Sequence, residues 1–351
     1  MNLYNIEIFQ PDFTYRDNCQ TNDIEYEYDY LSISKNKIKL LNIKAEKGDY
    51  IRIFRNKMTL FGIIEGVTES VTSTTLEFKH ILSVMDIDVY ADSSIVANTD
   101  NSIEQWIANI ITDTYINNPD RLQNITGLEV KCTSSTTGTK KLGLDGNINN
   151  LYEIIQNALI KHDVVISTDI DIQNKKIVMS IGQNTKKEKV IESDLPNVLD
   201  KEFNIKKSDG SVNKLILINE DDESQQATYY LLQNGSITTD SNSNNRIIPV
   251  VNEIRSISLK KDETFESRAY QEALDKLVPE EYDNLIEITV ESNDTLICPE
   301  EMQIGQKATI LHNGIEYHTM LTGIERKDRI KLMFGTIRLE LTKKMKRRIK
   351  K

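Results

Sequence analysis

The stretch Lys47 to Glu69, KGDYIRIFRNKMTLFGIIEGVTE, decides how the rest of the chain is read. Gly48 opens an alternating run through Tyr50, Ile51, Ile53 and Phe54, Asn56-Lys57 supplies turn chemistry, and Leu60 to Val67 runs back past Gly66. Alternation on both sides of a turn predicts a two-stranded hairpin. A close match returns near the other end. Adding 257 to each number places Gly48 on Gly305, Ile53 on Ile310, Asn56 on Asn313, Ile64 on Leu321, Gly66 on Gly323 and Val67 on Ile324, with no gap. A third strand follows each time, Thr75 to Phe78 and Arg329 to Phe334, with a register shift of about three residues expected from the longer first turn. The expectation is two similar small β-barrel-like domains, with Gly48, Gly66, Gly305 and Gly323 at equivalent positions.

A chain of 351 residues, 38% hydrophobic and 28% charged, is long enough for several domains and a substantial core. Met1 to Gln20 lacks the basic start and apolar core of a signal peptide, and no window reaches membrane-span length, so no membrane span is expected. Cys19, Cys132 and Cys298 are odd in number and far apart, which fits neither a disulfide framework nor a zinc site. The net charge of −11 is uneven. Lys343 to Lys351 holds seven basic residues and no acidic ones, leaving 36 Lys and Arg against 54 Asp and Glu elsewhere, a net −18. That body repels nucleic acid, while the tail is either a phosphate- or acid-binding segment or a frayed terminus.

Strand patterns fill residues 1–96, including a tyrosine stripe in which Tyr26, Tyr28 and Tyr30 alternate with Glu25, Glu27 and Asp29. At Ser102 the period changes to 3.6. Ile103, Trp106, Ile107, Ile110 and Ile111 mark one helix behind a capping serine, and Asn150 to His162 a second, so residues 97–195 read as an α+β insertion. Strands resume over Glu202 to Lys206, Asn213 to Asn219, Ala227 to Leu232 and Ile247 to Lys260. Residues 196–261 together with 292–342 are assigned to the second barrel-like domain. A helix from Phe265 to Leu277 and a strand from Leu285 to Glu291 form a helix-strand subdomain over 262–291, and 343–351 is the basic tail. The fold class is mainly β with an α+β insertion.

Chemistry is sparse in this sequence. There is no dinucleotide or P-loop spacing around Leu142 to Gly146, and no nucleophile elbow. His80, His162, His312 and His318 are scattered, with only the last two close enough to meet across a hairpin. The aspartate pairs Asp86/Asp88 and Asp169/Asp171 read first as solvated edges and second as acid-base or cation sites. No catalytic, cofactor or metal residues are assigned, and no enzyme activity is expected. The alternative is a cell-wall carbohydrate-binding or hydrolytic tail module, with the tyrosine stripe as a stacking platform.

Gly48-Asp49-x-Ile51-x-Ile53 followed by Gly62-Ile63-Ile64-x-Gly66-Val67 resembles the first β-domain of the tailed-bacteriophage tail hub, or baseplate hub, family. Later segments follow that family's order: Val212-Asn213-Lys214, Asn234 to Ile237, Arg246 to Val250, the Ala269 to Leu277 helix, Ile304 to Gln306, Leu321 to Gly323 and Phe334 to Leu339. The resemblance implies a homotrimer whose six β-domains adapt a sixfold tail tube to a threefold tip. It also implies a place in the virion tail tip, assembly in the host cytoplasm and DNA ejection through the channel without specific binding. The implied partners are a distal tail protein ring, the tape measure protein and a tail-tip fibre or receptor-binding protein serving host attachment. Many relatives continue into receptor-binding or wall-degrading modules; with this sequence ending at Lys351, another chain is expected to supply them.

Overall fold

Alternating apolar residues dominate the computed structural model, which is mainly β and describes residues 3–31, 33–55, 58–91, 102–136, 142, 147–205, 212–232, 237–259, 263–277 and 284–335. The Asn56-Lys57 turn, the Gly143 to Gly146 segment, the Asn234 to Ser236 motif and the basic tail lie outside the described residues.

In the first sheet β1 (Tyr4–Phe9), β2 (Tyr15–Thr21), β4 (Asn36–Leu40), β5 (Tyr50–Arg55), β6 (Met58–Glu69) and β7 (Thr74–His80) run in the order β2-β1-β5-β6-β7-β4. Every second residue faces one core, where Ile6, Ile8, Ile51, Ile53, Ile64, Leu76 and Phe78 are buried. Each such side chain contributes about 1.5–3 kcal/mol by leaving water. The intervening strand β3 (Tyr26–Asp29) belongs elsewhere.

The second sheet is built from β13 (Lys189–Glu192), β14 (Val198–Ile205), β19 (Asn284–Glu291), β20 (Lys307–His312), β21 (Ile315–Arg326) and β22 (Arg329–Gly335), in the order β13-β20-β21-β22-β19-β14. Its hairpin reproduces that of the first sheet residue for residue. Tyr50↔Ile63 through Arg55↔Met58 become Lys307↔Met320 through His312↔Ile315 on adding 257. The Gly48 N–H donates to Ile64 O and the Gly305 N–H to Leu321 O, each at 2.8 Å. A bulge follows in both long strands, between Ile64 and Gly66 and between Leu321 and Gly323. The third strands differ by one residue rather than about three. Ile64 pairs Phe78 and Leu321 pairs Phe334, because the Glu69↔Thr74 turn encloses one residue more than Arg326↔Ile330.

Two helices and a three-stranded sheet make up most of the insertion: α1 (Ile103–Tyr115), α2 (Leu151–His162), β9 (Leu128–Cys132), β11 (Val164–Asp171) and β12 (Lys176–Gln183), with a small β8 (Asp88–Tyr90) and β10 (Ile148–Asn150) pair beside them. The Ser102 side chain accepts from the Gln105 N–H at the start of α1, and Asn150 does the same for Glu153 at α2. On α1, Glu104 is fully buried and accepts from Ser134 Oγ, Thr136 N–H and Thr136 Oγ1 at 2.6, 2.7 and 2.7 Å. The insertion ends earlier than its predicted limit, since β13 pairs in parallel with β20.

Residues Ile205–Asp283 form a separate compact unit. Strands β15 (Lys214–Asn219), β16 (Gln226–Leu231), β17 (Ile237–Thr238) and β18 (Asn252–Ile257) pack Leu215, Leu217, Tyr229 and Ile257 against Phe265, Ala269, Ala273 and Leu277 of α3 (Phe265–Lys276). These strands, grouped above with 292–342, therefore close their own core with the helix, and β19 joins the second sheet instead. The strand expected over Ile247 to Lys260 is confined to β18; Pro249 has no N–H to give a ladder.

Only two of the four repeat glycines need left-handed backbone, Gly48 at φ +95° and Gly305 at φ +84°. Gly62, in the same hairpin but outside that set, is sterically tight: a Cβ there would sit 2.5 Å from the Lys79 carbonyl oxygen, whereas at Gly66 the nearest atom is the flexible Glu77 Oε2 at 3.4 Å. Gly62→Ala is expected to lower the thermal midpoint clearly more than Gly66→Ala; equal midpoints in calorimetry would contradict this packing. Glu104 supplies a second expectation. Burial opposes its charge, but the bonds from Ser134 and Thr136 outweigh that and hold the carboxyl below its ordinary value of 4.5. Its stabilisation is thus complete above about pH 4.5 and lost as pH falls through the lower folded-state value. Urea titrations in this acid range should show a shallower pH dependence for Glu104→Gln than for the wild type.

Candidate functional site

Strand β3 leaves the first sheet and pairs antiparallel with β21, Asp29 opposite Gly323 and Tyr26 opposite Arg326. Because β22 already occupies one edge of β21 here, β3 takes the edge that β20 uses further up. The Tyr30 N–H donates to Thr322 O at 2.9 Å. On the other side Asn36 imitates a strand: its Oδ1 accepts the Glu27 N–H at 2.6 Å and its Nδ2 donates to Glu27 O at 3.0 Å. The insertion completes the enclosure, with Gln156 Nε2 donating to Leu31 O at 2.8 Å and the Ile166 N–H donating to the Tyr30 hydroxyl at 3.1 Å.

The tyrosine stripe is therefore structural. Tyr26 and Tyr30 are buried, and Tyr28 stacks on His80 at 4.0 Å between ring centres. Burial pushes the Tyr26 hydroxyl up to about 12 and raises Tyr28 and Tyr30 too. It pushes His80 down to about 3, so that ring is neutral, and its Nδ1 accepts the Leu82 N–H at 3.2 Å. Of the residues expected on an acidic face, Asp29 is buried and accepts the Leu31 N–H at 2.8 Å, Glu27 is half-buried, and Glu25 is exposed and pairs with Lys327 at 2.8 Å. Neither Tyr26 nor Tyr30 leaves a flat face for a sugar to stack on.

Two arginines converge beside this seam. Arg55 ends β5 and Arg326 ends the described part of β21 that pairs with β3; they are 8% and 2% exposed. Glu300 lies between them, its Oε1 in contact with Arg55 Nη2 and 3.4 Å from Arg326 Nη1. The guanidinium of Arg55 lies 4.3 Å over the Tyr4 ring. One carboxylate thus holds two guanidiniums, which stays favourable only while their planar faces rest on aromatic rings and the charge stays paired.

In front of the cluster opens a cleft of about 750 Å³, lined by β11 from Val165 to Asp169, by residues Glu300 to Ile304, and by Tyr26, Tyr28, His80, Lys186 and Arg326. The Lys186 Nζ donates to Ile304 O at 2.6 Å, and burial pushes the amine down to about 8.

The other residues singled out by sequence do not assemble. His312 and His318 turn away from each other toward the β13 region: His312 Nδ1 lies 2.8 Å from Ser193 Oγ, and His318 Nδ1 lies 3.0 Å from Thr309 Oγ1. Asp171 caps the Asn174 turn, Asp169 accepts its neighbour's N–H, and Asp86 accepts from Asn150. All three cysteines are free. Among the described residues no three His, Cys, Asp or Glu side chains converge on a metal-sized site. Arg55, Arg326, Glu300 and Lys186 carried no sequence signal, since 245 positions separate Arg55 from Glu300.

The comparisons with known proteins fall on solved structures. No family model matches the chain, and no curated protein matches it in sequence. A prophage tail protein, gp18 from Listeria monocytogenes EGD-e, is 12% identical, with a TM-score of 0.52 over 99% of this chain and 98% of its own. The 43 kDa tail protein of prophage MuSo2 from Shewanella oneidensis gives 12% identity and 0.52 over 95% and 97%. A chain of the phage P2 baseplate in its activated conformation with Ca gives 12% and 0.50 over 94% and 98%. The chain has the fold of phage tail and baseplate proteins. At this identity it is the architecture that is shared, and in this tail-protein fold the buried cluster is where the early and late halves of the sequence meet. Glu300→Gln should cost about 3–5 kcal/mol, because it leaves two buried guanidiniums without their counter-charge. Denaturant unfolding checks this, with Glu301→Gln, at an exposed neighbour, expected within about 0.5 kcal/mol of wild type.

Proposed function

We propose that this chain is a structural hub protein at the distal tip of a bacteriophage or phage-like tail, three copies forming a ring that adapts a sixfold tube to a threefold tip. The observation that carries the reading is the duplicated hairpin, with its identical pairing, glycine entry and bulge at Gly48/Gly66 and Gly305/Gly323. Each copy of the chain offers two like β-domains, one around β5–β7 and one around β20–β22, so three copies present six similar positions. In this reading the ring sits below a distal tail protein ring, meets the tape measure protein, and carries a tail-tip fibre or receptor-binding protein beneath it. DNA crosses the opened channel without being gripped, consistent with 54 acidic against 43 basic residues.

Native mass spectrometry at micromolar concentration, alone and with the distal tail ring protein of the same particle, tests the assembly. A mass of three chains is expected in at least the second condition. A monomer in both would overturn the ring.

A further inference from the structure

The cleft in front of the arginine cluster carries a feature that the hub reading does not use: it exposes an unpaired strand edge. The sheet order β11-β12-β9 leaves one side of β11 without a paired strand among the described residues. The direction of the Ile166 N–H, which donates to Tyr30 rather than to β12, fixes which residues face that side. Alternate residues turn their backbone groups the same way, so Val164, Ile166, Thr168 and Ile170 present N–H and C=O toward the free edge. The Ile166 N–H is taken by Tyr30 and the Ile170 N–H by Asp169 Oδ1 at 2.8 Å. The Thr168 N–H, between them, has no hydrogen-bond partner among the described residues. Free edges of this kind are usually covered or blunted, and an edge lining a cleft takes an added strand readily.

The charges around the edge say what that strand carries. The acids Asp169 and Glu301 are exposed at the rim, and Asp169 is already engaged with its neighbour's N–H. Deeper lie Lys186, Arg326 and, behind it, Arg55, with Glu300 held between the two arginines. The Lys186 amine spends one of its three N–H groups on Ile304 O, leaving donors toward the cleft. We propose that an extended segment of a partner protein docks along the Val165 to Asp169 edge of β11 and places an Asp or Glu side chain on Lys186. Main-chain pairing at Thr168 supplies the affinity, and the buried positive side chains select a carboxylate over a neutral isostere. The Val165 to Asp169 edge that lines the cleft matches a segment of about five residues at roughly 3.3 Å each. This inference stands apart from the ring: the edge and its charges are those of a single chain.

The probe is a capped, fluorescein-labelled peptide, Thr-Val-Glu-Val-Thr, followed by fluorescence anisotropy against the full chain, with the Gln analogue as control. Saturable binding is expected, weakened about tenfold or more by Gln. Thr168→Pro deletes the edge N–H while leaving the bonds to β12 untouched, and should abolish binding at an unchanged thermal midpoint. Lys186→Met should leave the Glu and Gln peptides equally weak, which keeps the test decisive if the proline variant does not fold. Absence of saturation up to millimolar peptide, equal affinity of the Glu and Gln peptides for wild type, or wild-type affinity in Thr168→Pro would each overturn the proposal. So would a native mass that falls on introducing Thr168→Pro, since a second copy would then be the occupant.

Discussion

The pairing of β3 with β21 is the constraint on which the first compact unit depends. It joins Tyr26 to Arg326 across nearly the whole sequence, and the loop this closes carries an entropic cost that grows only slowly with its length. What makes the cost worth meeting is the density of bonds at the seam. β3 is hydrogen-bonded to β21 on one side and to the Asn36 side chain on the other, and its tyrosines are buried under α2, β11 and His80. The Arg55, Glu300 and Arg326 cluster sits at the end of this seam, where a charge deprived of its partner is most expensive. Charge pairing here acts less as glue than as a register check. A slip of β3 by one residue would turn its buried tyrosines to the opposite face and withdraw Tyr26 from Arg326.

The two hairpins share backbone demands and little else. Their common letters are few: the left-handed glycines at the entry, the glycines of the bulges, the buried Ile53 and Ile310, and the asparagines Asn56 and Asn313. Side chains between those points diverge. Asp49 accepts from Arg16 and from the Glu46 N–H, whereas Gln306 at the equivalent position donates its side-chain amide to Lys187 O. The end of β5 is a buried arginine and the end of β20 a histidine stacked on Phe203. The neighbours differ accordingly, β1 flanking one hairpin and β13 the other. A duplicated backbone with specialised edges is what a chain needs if its two halves are to fill similar positions and contact different surroundings.

Local physics was legible in the sequence. The hairpin alternation, the caps at Ser102 and Asn150, and the apolar stripe of α3 each depend on residues within a few positions of one another. Pairing between distant segments was not. β13, the short strand beside β20, has too few residues to show a period, and polar β2 survives as a strand because β1 supplies its ladder. The tyrosine stripe read as a half-buried face with an acidic side, but periodicity cannot say that β21 and Asn36 would cover both edges. The candidate cleft was invisible for the same reason: its walls come from β11, Lys186, the Glu300 loop and β21. Gly62 was quoted for the resemblance, yet its importance lies in the Lys79 carbonyl of a third strand, which no spacing rule reveals.

The histidines show how a constellation can look catalytic and serve as a clamp. Ser193 Oγ lies 2.8 Å from His312 Nδ1, the distance of a nucleophile and its base. The Asp194 Oδ1 is 3.9 Å from that same nitrogen, and Nε2 faces Asn313. A base that relays a proton needs its orienting acid on the opposite nitrogen, so this order cannot run the relay. Ser193 is also only 1% exposed, leaving no room for a reacting carbon beside its hydroxyl. Seen with its counterpart, the arrangement has a mechanical logic. His318 with Thr309 and Glu188 holds the start of β13, and His312 with Ser193 holds its end. A four-residue parallel strand has few ladder bonds of its own, and two side-chain clamps spaced along it fix a register that its length alone would leave loose.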